Sequence, residues 1–212
     1  MLLTVDKTKQ VVTLSEKGLV GISAADGKLL WKTPFNAQYN SGTPIVDGQT
    51  VICSGPADMR AGGKGGTVAL KIEKNGDEWK ATEAWSQPKS PAGIYNTPVL
   101  KDGMLFGLSP VPGGRGMGAS PTNLFCMKAD TGNVLWTDPA KRGDCGAILD
   151  AGSVLLALTS DNELVVFKPS DKQFTEVAKY KVADSPVWSY PIIAGNRVFV
   201  KDKDSLTLWT IE

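Results

Sequence analysis

The sequence contains no histidine and only three cysteines among its 212 residues. Without imidazole, Ser-His-Asp and Cys-His catalysis are excluded, and the commonest zinc ligand is missing. Cys53, Cys126 and Cys145 lie far apart and form no CxxC motif, so we expect small buried hydrophobic residues, with a single disulfide as the open alternative. We predict no catalytic residue and no metal site.

Long hydrophobic runs and an excess of one charge are also missing. No apolar run approaches the ~20 residues that a membrane-spanning helix needs. The first six residues, MLLTVD, lack the basic and long apolar regions of a signal peptide. Lys and Arg total 23 and Asp and Glu total 22, giving a net charge of +1. We therefore expect no transmembrane segment and no nucleic-acid partner.

A repeated unit is present instead, and its clearest copy is Asn123 to Trp136. Leu124 to Met127 is apolar enough for a buried strand, Ala129 to Gly132 is typical of a tight turn, and Val134 to Trp136 resumes extended structure. Similar stretches end on Trp31, Trp85 and Tyr180. The closing aromatic residues are 54, 51 and 44 positions apart, a period typical of propeller blades.

A second signature is an apolar pair followed by an Asp/Gly-type turn and an apolar strand. It precedes the stretches that end on Trp85, Trp136 and Tyr180, and it occurs once more after them. It begins at Thr43, Thr97, Gly146 and Tyr190. Together the two signatures predict an all-β chain, a β-propeller of four-stranded antiparallel blades with four complete blades plus most of a fifth. The predicted blades are 2–33, 43–85, 97–136 and 147–180, and the incomplete blade is 187–211.

The motif from Ala129-Asp130-Thr131-Gly132 to Trp136, with its copy from Ala25 to Trp31, resembles the tryptophan-docking motif of the pyrroloquinoline-quinone-type β-propeller repeat. The resemblance covers nearly the whole chain. In that family the aromatic residue packs between blades, which assigns a structural docking role to Trp31, Trp85, Trp136 and Tyr180. Such rings have seven or eight blades, so we expect the C-terminal part of a longer protein rather than a tight five-unit ring. WD40 repeats are excluded because they need a Gly-His element.

The family includes quinoprotein dehydrogenases and the lipoprotein of the outer-membrane β-barrel assembly machine, so the resemblance allows an enzyme or a binding scaffold. Family dehydrogenases use pyrroloquinoline quinone with calcium, adjacent cysteines, Glu and Asn ligands and a catalytic Asp. This chain has no Cys-Cys pair, so we predict no cofactor, and the enzyme question leans towards none. The resemblance also implies a periplasmic or otherwise exported protein.

The loops that enter each blade line one mouth of a propeller channel. Two of them carry the same dipeptide, Tyr39-Asn40 and Tyr95-Asn96, and Trp188 occupies the corresponding place later in the chain. Aromatic and amide side chains that converge on a concave mouth are candidate ligand contacts. The alternative is that they anchor each loop to its own repeat.

Two further loops on that face are long and rich in glycine, Gly55–Gly66 and Pro110–Pro121. Long insertions on a compact scaffold are often functional. Arg60, Lys64 and Arg115 could together receive an anion such as a carboxylate or phosphate. Neither loop contains a P-loop or a dinucleotide-binding fingerprint. The structural alternative is that both are plain surface loops.

The sequence therefore predicts a non-enzymatic binding scaffold for a protein or other macromolecular partner, held through one loop-rich face. The alternative is the C-terminal portion of a pyrroloquinoline-quinone-dependent dehydrogenase. If the ring is incomplete, exposed end blades also predict self-association, because their apolar faces have no neighbour.

Overall fold

A computed structural model of the chain describes residues 1–35, 41–58, 64–93, 95–111 and 120–211, with no side-chain description for 56–58 and 64–65. Within these ranges there are 19 strands and no helix. The described residues therefore contain no helix that could span a membrane. The strands form five antiparallel sheets, four with four strands and one with three. The all-β class and the four-stranded antiparallel unit are confirmed, whereas the number of blades in a complete ring stays a prediction.

Each sheet is a meander whose strands follow one another in chain order. Sheet 1 contains β1 (Leu2–Val5), β2 (Thr8–Ser15), β3 (Gly18–Ser23) and β4 (Leu29–Thr33). Sheet 2 contains β5 (Ile45–Asp47), β6 (Thr50–Asp58), β7 (Lys64–Asn75) and β8 (Glu78–Gln87). Sheet 3 contains β9 (Val99–Lys101), β10 (Met104–Pro110), β11 (Thr122–Lys128) and β12 (Val134–Thr137). Sheet 4 contains β13 (Gly146–Asp150), β14 (Leu155–Thr159), β15 (Glu163–Phe167) and β16 (Glu176–Lys181). Sheet 5 contains β17 (Ile192–Ala194), β18 (Arg197–Lys201) and β19 (Leu206–Thr210).

The sheets stack face to face. Successive side chains of a strand point to opposite faces of its sheet, so each interior sheet can pack against one sheet on either side. In sheet 2, Val51 and Cys53 pack against sheet 1, while Ile52 packs against sheet 3. In sheet 4, Leu155 packs against sheet 3 and Leu156 against sheet 5. Four hydrophobic clusters therefore fill the four seams between neighbouring sheets. Such a core explains why the interior strands are apolar along their whole length.

The third and fourth strands of every four-stranded sheet are joined through a shift in register. Trp31 pairs with Gly21 immediately before the shift in sheet 1, as Trp85 pairs with Ala69 in sheet 2. In sheet 3, Trp136 pairs with Cys126. In sheet 1 the absence of a side chain at Gly21 leaves room for the indole of Trp31, since a β-carbon on Gly21 would lie 2.1 Å from Nε1 of Trp31.

The same register in sheet 4 places Ala178 opposite Val166. Ala178 therefore occupies the position that tryptophan occupies in the other three sheets. Tyr180 lies two residues further along β16, pairs with Leu164, and has 56% of its surface exposed.

Two of the indoles connect one sheet to the next. Nε1 of Trp85 donates to the carbonyl of Ala129 at 3.1 Å, in the turn that follows the third strand of sheet 3. Nε1 of Trp136 donates to the carbonyl of Ser170 at 2.8 Å, in the corresponding turn of sheet 4. Trp31 packs in the first seam, but its Nε1 donates to Oε1 of Gln10 within its own sheet. A buried indole with its N–H satisfied stabilises the seam where it lies.

Candidate functional site

The candidate site lies where three loops meet at one end of sheets 3 to 5. The loop between β12 and β13 contributes Arg142 and Asp144, the turn between β14 and β15 contributes Ser160 and Asp161, and the loop before β17 contributes Trp188. These residues line a cavity of about 490 Å³ together with Pro121, the last residue of the second long glycine-rich loop. We call this the Trp188 cavity.

A buried ion pair fixes the first wall of the Trp188 cavity. Nη1 of Arg142 lies 2.7 Å from Oδ2 of Asp138, and both side chains are less than 10% exposed. The guanidinium also lies 5.0 Å from the ring centre of Phe174, within the range of a cation–π contact. Nδ2 of Asn123 holds the same loop by donating to the carbonyls of Asp138 and Ala140. Sequence reasoning did not single out Arg142, and the only local signal was its spacing of four residues from Asp138.

Hydrogen bonds join the second wall to the first. Oγ of Ser160 donates to Oδ1 of Asp144 at 2.7 Å and accepts from the backbone N–H of Asp144 at 2.9 Å. The backbone N–H of Gly143 donates to Oδ2 of Asp161. The two loops therefore form one preformed surface with two exposed carboxylates.

The third wall is Trp188, whose surface is 65% exposed although its neighbour Val187 is buried. An exposed indole beside carboxylates and backbone amides is chemically suited to contact a protein surface, because aromatic residues are enriched at the centres of interfaces. Cys145 follows Asp144 in the chain and its backbone N–H donates to Oγ of Ser160. Burial, followed by the charge of Asp144, raises the pKa of its thiol to about 11. It is not a reactive nucleophile at neutral pH.

The loop before sheet 3 is arranged differently. Asn96 is buried, and its Nδ2 donates to the carbonyl of Leu108 at 3.2 Å, which is the geometry of a loop anchor. Tyr95 is 56% exposed. The N–H of Thr97 donates to the hydroxyl of Tyr190 at 2.9 Å, so the entries to sheets 3 and 5 lie side by side. Trp188 and the Tyr95-Asn96 pair therefore belong to one end of the molecule but not to one cavity.

The remaining predicted ligand contacts cannot be compared with the structure. Tyr39, Asn40, Arg60 and Arg115 lie outside the described residues, and Lys64 is described only as the first backbone position of β7. The bases of both long loops are described, however. Gly66 and Pro110 border a second cavity of about 380 Å³, and Pro121, at the other end of the second loop, borders the Trp188 cavity.

The described residues do not form the paired cysteines or the calcium site that the resemblance to quinoprotein dehydrogenases would require. All three cysteines are free, and burial raises the pKa of Cys53 and of Cys126 to about 12. Among the described residues, no group of three or more Cys, Asp or Glu side chains is close enough together to hold a metal ion. We derive no chemical step that involves this cofactor.

One family model matches part of the chain. Residues 2–94 match the family described as outer membrane protein assembly factor BamB. Among solved structures, BamB from Moraxella catarrhalis aligns with 95% of this chain and 70% of its own, at 16% identity and a TM-score of 0.49. No curated protein matches the chain. The resemblance inferred from the docking motif is confirmed: the chain is similar to the pyrroloquinoline-quinone-type β-propeller repeat proteins, and its family match spans residues 2–94.

Proposed function

We propose that the chain is a non-enzymatic binding scaffold that holds a protein partner through its loop-rich end. The observation that carries this proposal is the Trp188 cavity, where an exposed indole, two carboxylates and the base of a long glycine-rich loop share one surface. The description of the matched family, an assembly factor, agrees with a binding role.

The physical argument depends on preorganisation. The Asp138–Arg142 ion pair and the bonds of Ser160 hold the cavity walls before any partner arrives. Binding a partner therefore costs less conformational entropy here than binding to a loop that must first become ordered. Trp188 supplies a rigid contact with few rotatable bonds, as interface anchors do. The first predicted loop, 55–66, is shorter than expected, because its two ends belong to the paired strands β6 and β7. The connections between β6 and β7 and between β10 and β11 would then extend the contact around the cavity.

A photocrosslinking experiment tests the proposal. A benzophenone amino acid replaces Trp188 in one variant and Val134 in the other, a residue that is 44% exposed on β12 and outside the cavity. In extract from the source cells we expect a discrete protein adduct at position 188 and none at position 134. Shortening the connection between β6 and β7 or that between β10 and β11 should reduce that adduct. Equal labelling at both positions, or an adduct unaffected by both deletions, would refute this site.

From the family resemblance we also propose that the protein is exported to the periplasm. Fractionation of source cells with an antibody against the chain tests this location. Recovery with the cytosolic fraction would contradict it.

A further inference from the structure

The hairpin formed by β7 and β8 projects past the rest of its sheet. β7 has 12 residues and β8 has 10. The register pairs Thr50, the first residue of β6, with Lys71, so Ile72 to Asn75 continue beyond β6 and pair only with Glu78 to Ala81. We call residues 72–81 the β7–β8 ribbon.

The β7–β8 ribbon seals the seam between sheets 1 and 2. Ile72 is fully buried in that seam, and Trp79 and Ala81 pack beside it. Nζ of Lys74 lies 5.6 Å from the centre of the Trp79 ring, within the range of a cation–π contact. The next two seams have an indole N–H bond that crosses from sheet to sheet, whereas Nε1 of Trp31 donates within sheet 1. The ribbon therefore supplies contacts that this first seam does not obtain from its docking tryptophan.

A two-residue turn, Gly76-Asp77, ends the ribbon, and the pair of Asn75 and Glu78 closes it. The φ angle of Gly76 is +63°, which suits the first position of a two-residue hairpin turn. This turn sets the register of β8 on β7, and a slip of one residue would move Trp79 to the opposite face of the ribbon. The packing of the first seam thus depends on an intact turn.

The same turn contains the only asparagine-glycine pair in the sequence. Residues 75–78 are exposed. In the part of the chain that the structure describes, neither the Asn75 side chain nor the Gly76 N–H forms a hydrogen bond. A β-carbon on Gly76 would have no neighbouring atom within 4 Å, so the space around this residue is open. A side-chain amide and a backbone nitrogen therefore lie next to each other with nothing to restrain them.

We propose that Asn75-Gly76 is a site of spontaneous deamidation, and that this modification loosens the seam between sheets 1 and 2. The backbone nitrogen of Gly76 attacks Cγ of Asn75, and the new N–Cγ bond forms as the bond from Cγ to Nδ2 breaks. Ammonia leaves with the proton of the Gly76 amide, and a cyclic imide remains. Water then opens the ring at either carbonyl and gives aspartate or isoaspartate. No electron is transferred in either step.

Isoaspartate is the product that disturbs the ribbon. It routes the main chain through Cβ and Cγ of residue 75 and so lengthens the backbone by a methylene group between the two strands. A turn of two residues cannot absorb this extra length while the pair of Asn75 and Glu78 keeps its register. Trp79, next to Glu78, is therefore displaced from the seam. Aspartate keeps the main chain intact and adds only a negative charge at an exposed position.

Peptide mapping of the full chain tests the site. After incubation in mildly alkaline buffer, trypsin releases residues 75–80, NGDEWK. Mass spectrometry should show this peptide deamidating at least about tenfold faster than the peptide that contains Asn133, because Gly76 has no β-carbon beside the attacking nitrogen, whereas Val134 follows Asn133. Asn133 is the internal control, since it is also exposed. Asn75→Gln, whose longer side chain disfavours the five-membered ring, should remain unmodified over the same time.

Urea unfolding tests the effect on the seam. Ion exchange separates the deamidated chain by its added negative charge, and labelling by an isoaspartyl methyltransferase distinguishes isoaspartate from aspartate. The isoaspartate form should have a lower urea midpoint than the unmodified chain. Asn75→Asp, which adds the charge without lengthening the backbone, is the matched control and should unfold like the unmodified chain.

A second background locates the effect at the ribbon. In Trp79→Ala, which has already lost the indole contact, isoaspartate should lower the urea midpoint by less, because the two changes remove the same packing. If Trp79→Ala does not fold, hydrogen exchange gives the same comparison: only the isoaspartate form should exchange faster in β4 and in residues 72–81.

Either of two results would overturn the proposal. Deamidation of Asn75 no faster than that of Asn133 would remove the site. Equal urea midpoints for the isoaspartate form and Asn75→Asp would remove its effect on the seam. Both results are independent of the Trp188 cavity, which is lined by a different set of residues.

Discussion

At the scale of single residues, Cys145 reports on the electrostatics of the candidate site. Its pKa of about 11, against an ordinary 9.0, means that about a hundredfold less thiolate is present at pH 8. We therefore expect iodoacetamide to label Cys145 in the folded chain about a hundred times more slowly than a free cysteine. Asp144→Asn removes a neighbouring negative charge and should accelerate the labelling. Equal rates before and after this substitution would show that Asp144 does not act on the thiol.

Asp202 organises the turn before β19. It is buried, and its Oδ1 accepts bonds from the backbone N–H groups of Ser205 and Asp204 and from the Ser205 hydroxyl. These bonds, chiefly the one from the Ser205 N–H, hold the pKa of the Asp202 carboxyl well below its usual range. A depressed folded-state pKa gives stability that is complete above the unfolded value, near 3.9, and is lost as the pH falls towards the folded value.

Asp202→Asn should therefore lower the urea midpoint more at pH 7 than at pH 2.5. The reason is that the unchanged chain itself loses this contribution in acid. Asp204→Asn, two residues along the same turn, is the matched control. If Asp202→Asn lowered the urea midpoint by the same amount at both pH values, the depressed pKa of Asp202 would be contradicted.

At the scale of elements, the stability of a seam depends on its indole. Trp136 packs near Phe106 of its own sheet and Phe174 of sheet 4, with ring centres 6.1 Å apart in both cases. We expect Trp136→Ala to destabilise the chain by about 2–4 kcal/mol through lost burial and a cavity. Trp136→Phe should cost about 1 kcal/mol, because it removes mainly the bond to the Ser170 carbonyl.

Urea unfolding followed by circular dichroism measures both changes. Trp188→Ala is the control, since an exposed side chain should contribute less than about 0.5 kcal/mol. A larger loss from Trp188 than from Trp136 would be incompatible with the seam geometry.

The elements also show how far the sequence could lead. The repeat, the all-β class and the four-stranded unit follow from the spacing of turns and apolar strands, which are local signals. Spacing also selected Tyr180 as the fourth closing aromatic residue, but the register shift in sheet 4 places Ala178 at that position. The size of the cross-strand residue could have indicated this difference. A small residue lies opposite each docking tryptophan (Gly21, Ala69 and Cys126), whereas the larger Val166 lies opposite Ala178.

The Trp188 cavity could be predicted only in part. Trp188 followed from the repeat, because each unit has an equivalent loop. Arg142 is held by Asp138 in its own loop and contacts Phe174, 32 residues away, and Ser160 bonds to Asp144 of another loop, 16 residues away. No periodic pattern encodes such contacts, since they depend on how the neighbouring sheets stack.

At the scale of the whole molecule, the first and last sheets of the described residues expose apolar side chains. On sheet 1, Leu2, Val11, Ile22 and Leu29 form one cross-strand row, and Leu2 and Leu29 are 66% and 56% exposed. On sheet 5, Ile192, Phe199 and Leu208 form another row, and Ile192 is 63% exposed. Within the chain, every seam joins such a face to the opposite face of the next sheet.

Two copies of the 212-residue chain should therefore associate head to tail, sheet 5 of one on sheet 1 of the other. This contact is heterologous, because it joins two different surfaces. Leu29→Lys blocks one surface and Ile192→Lys blocks the other, so neither variant should self-associate in sedimentation velocity. An equimolar mixture should still form dimers, because each variant keeps the surface that the other lacks. Self-association of either variant alone would instead show pairing of like faces, since one intact surface would then be sufficient.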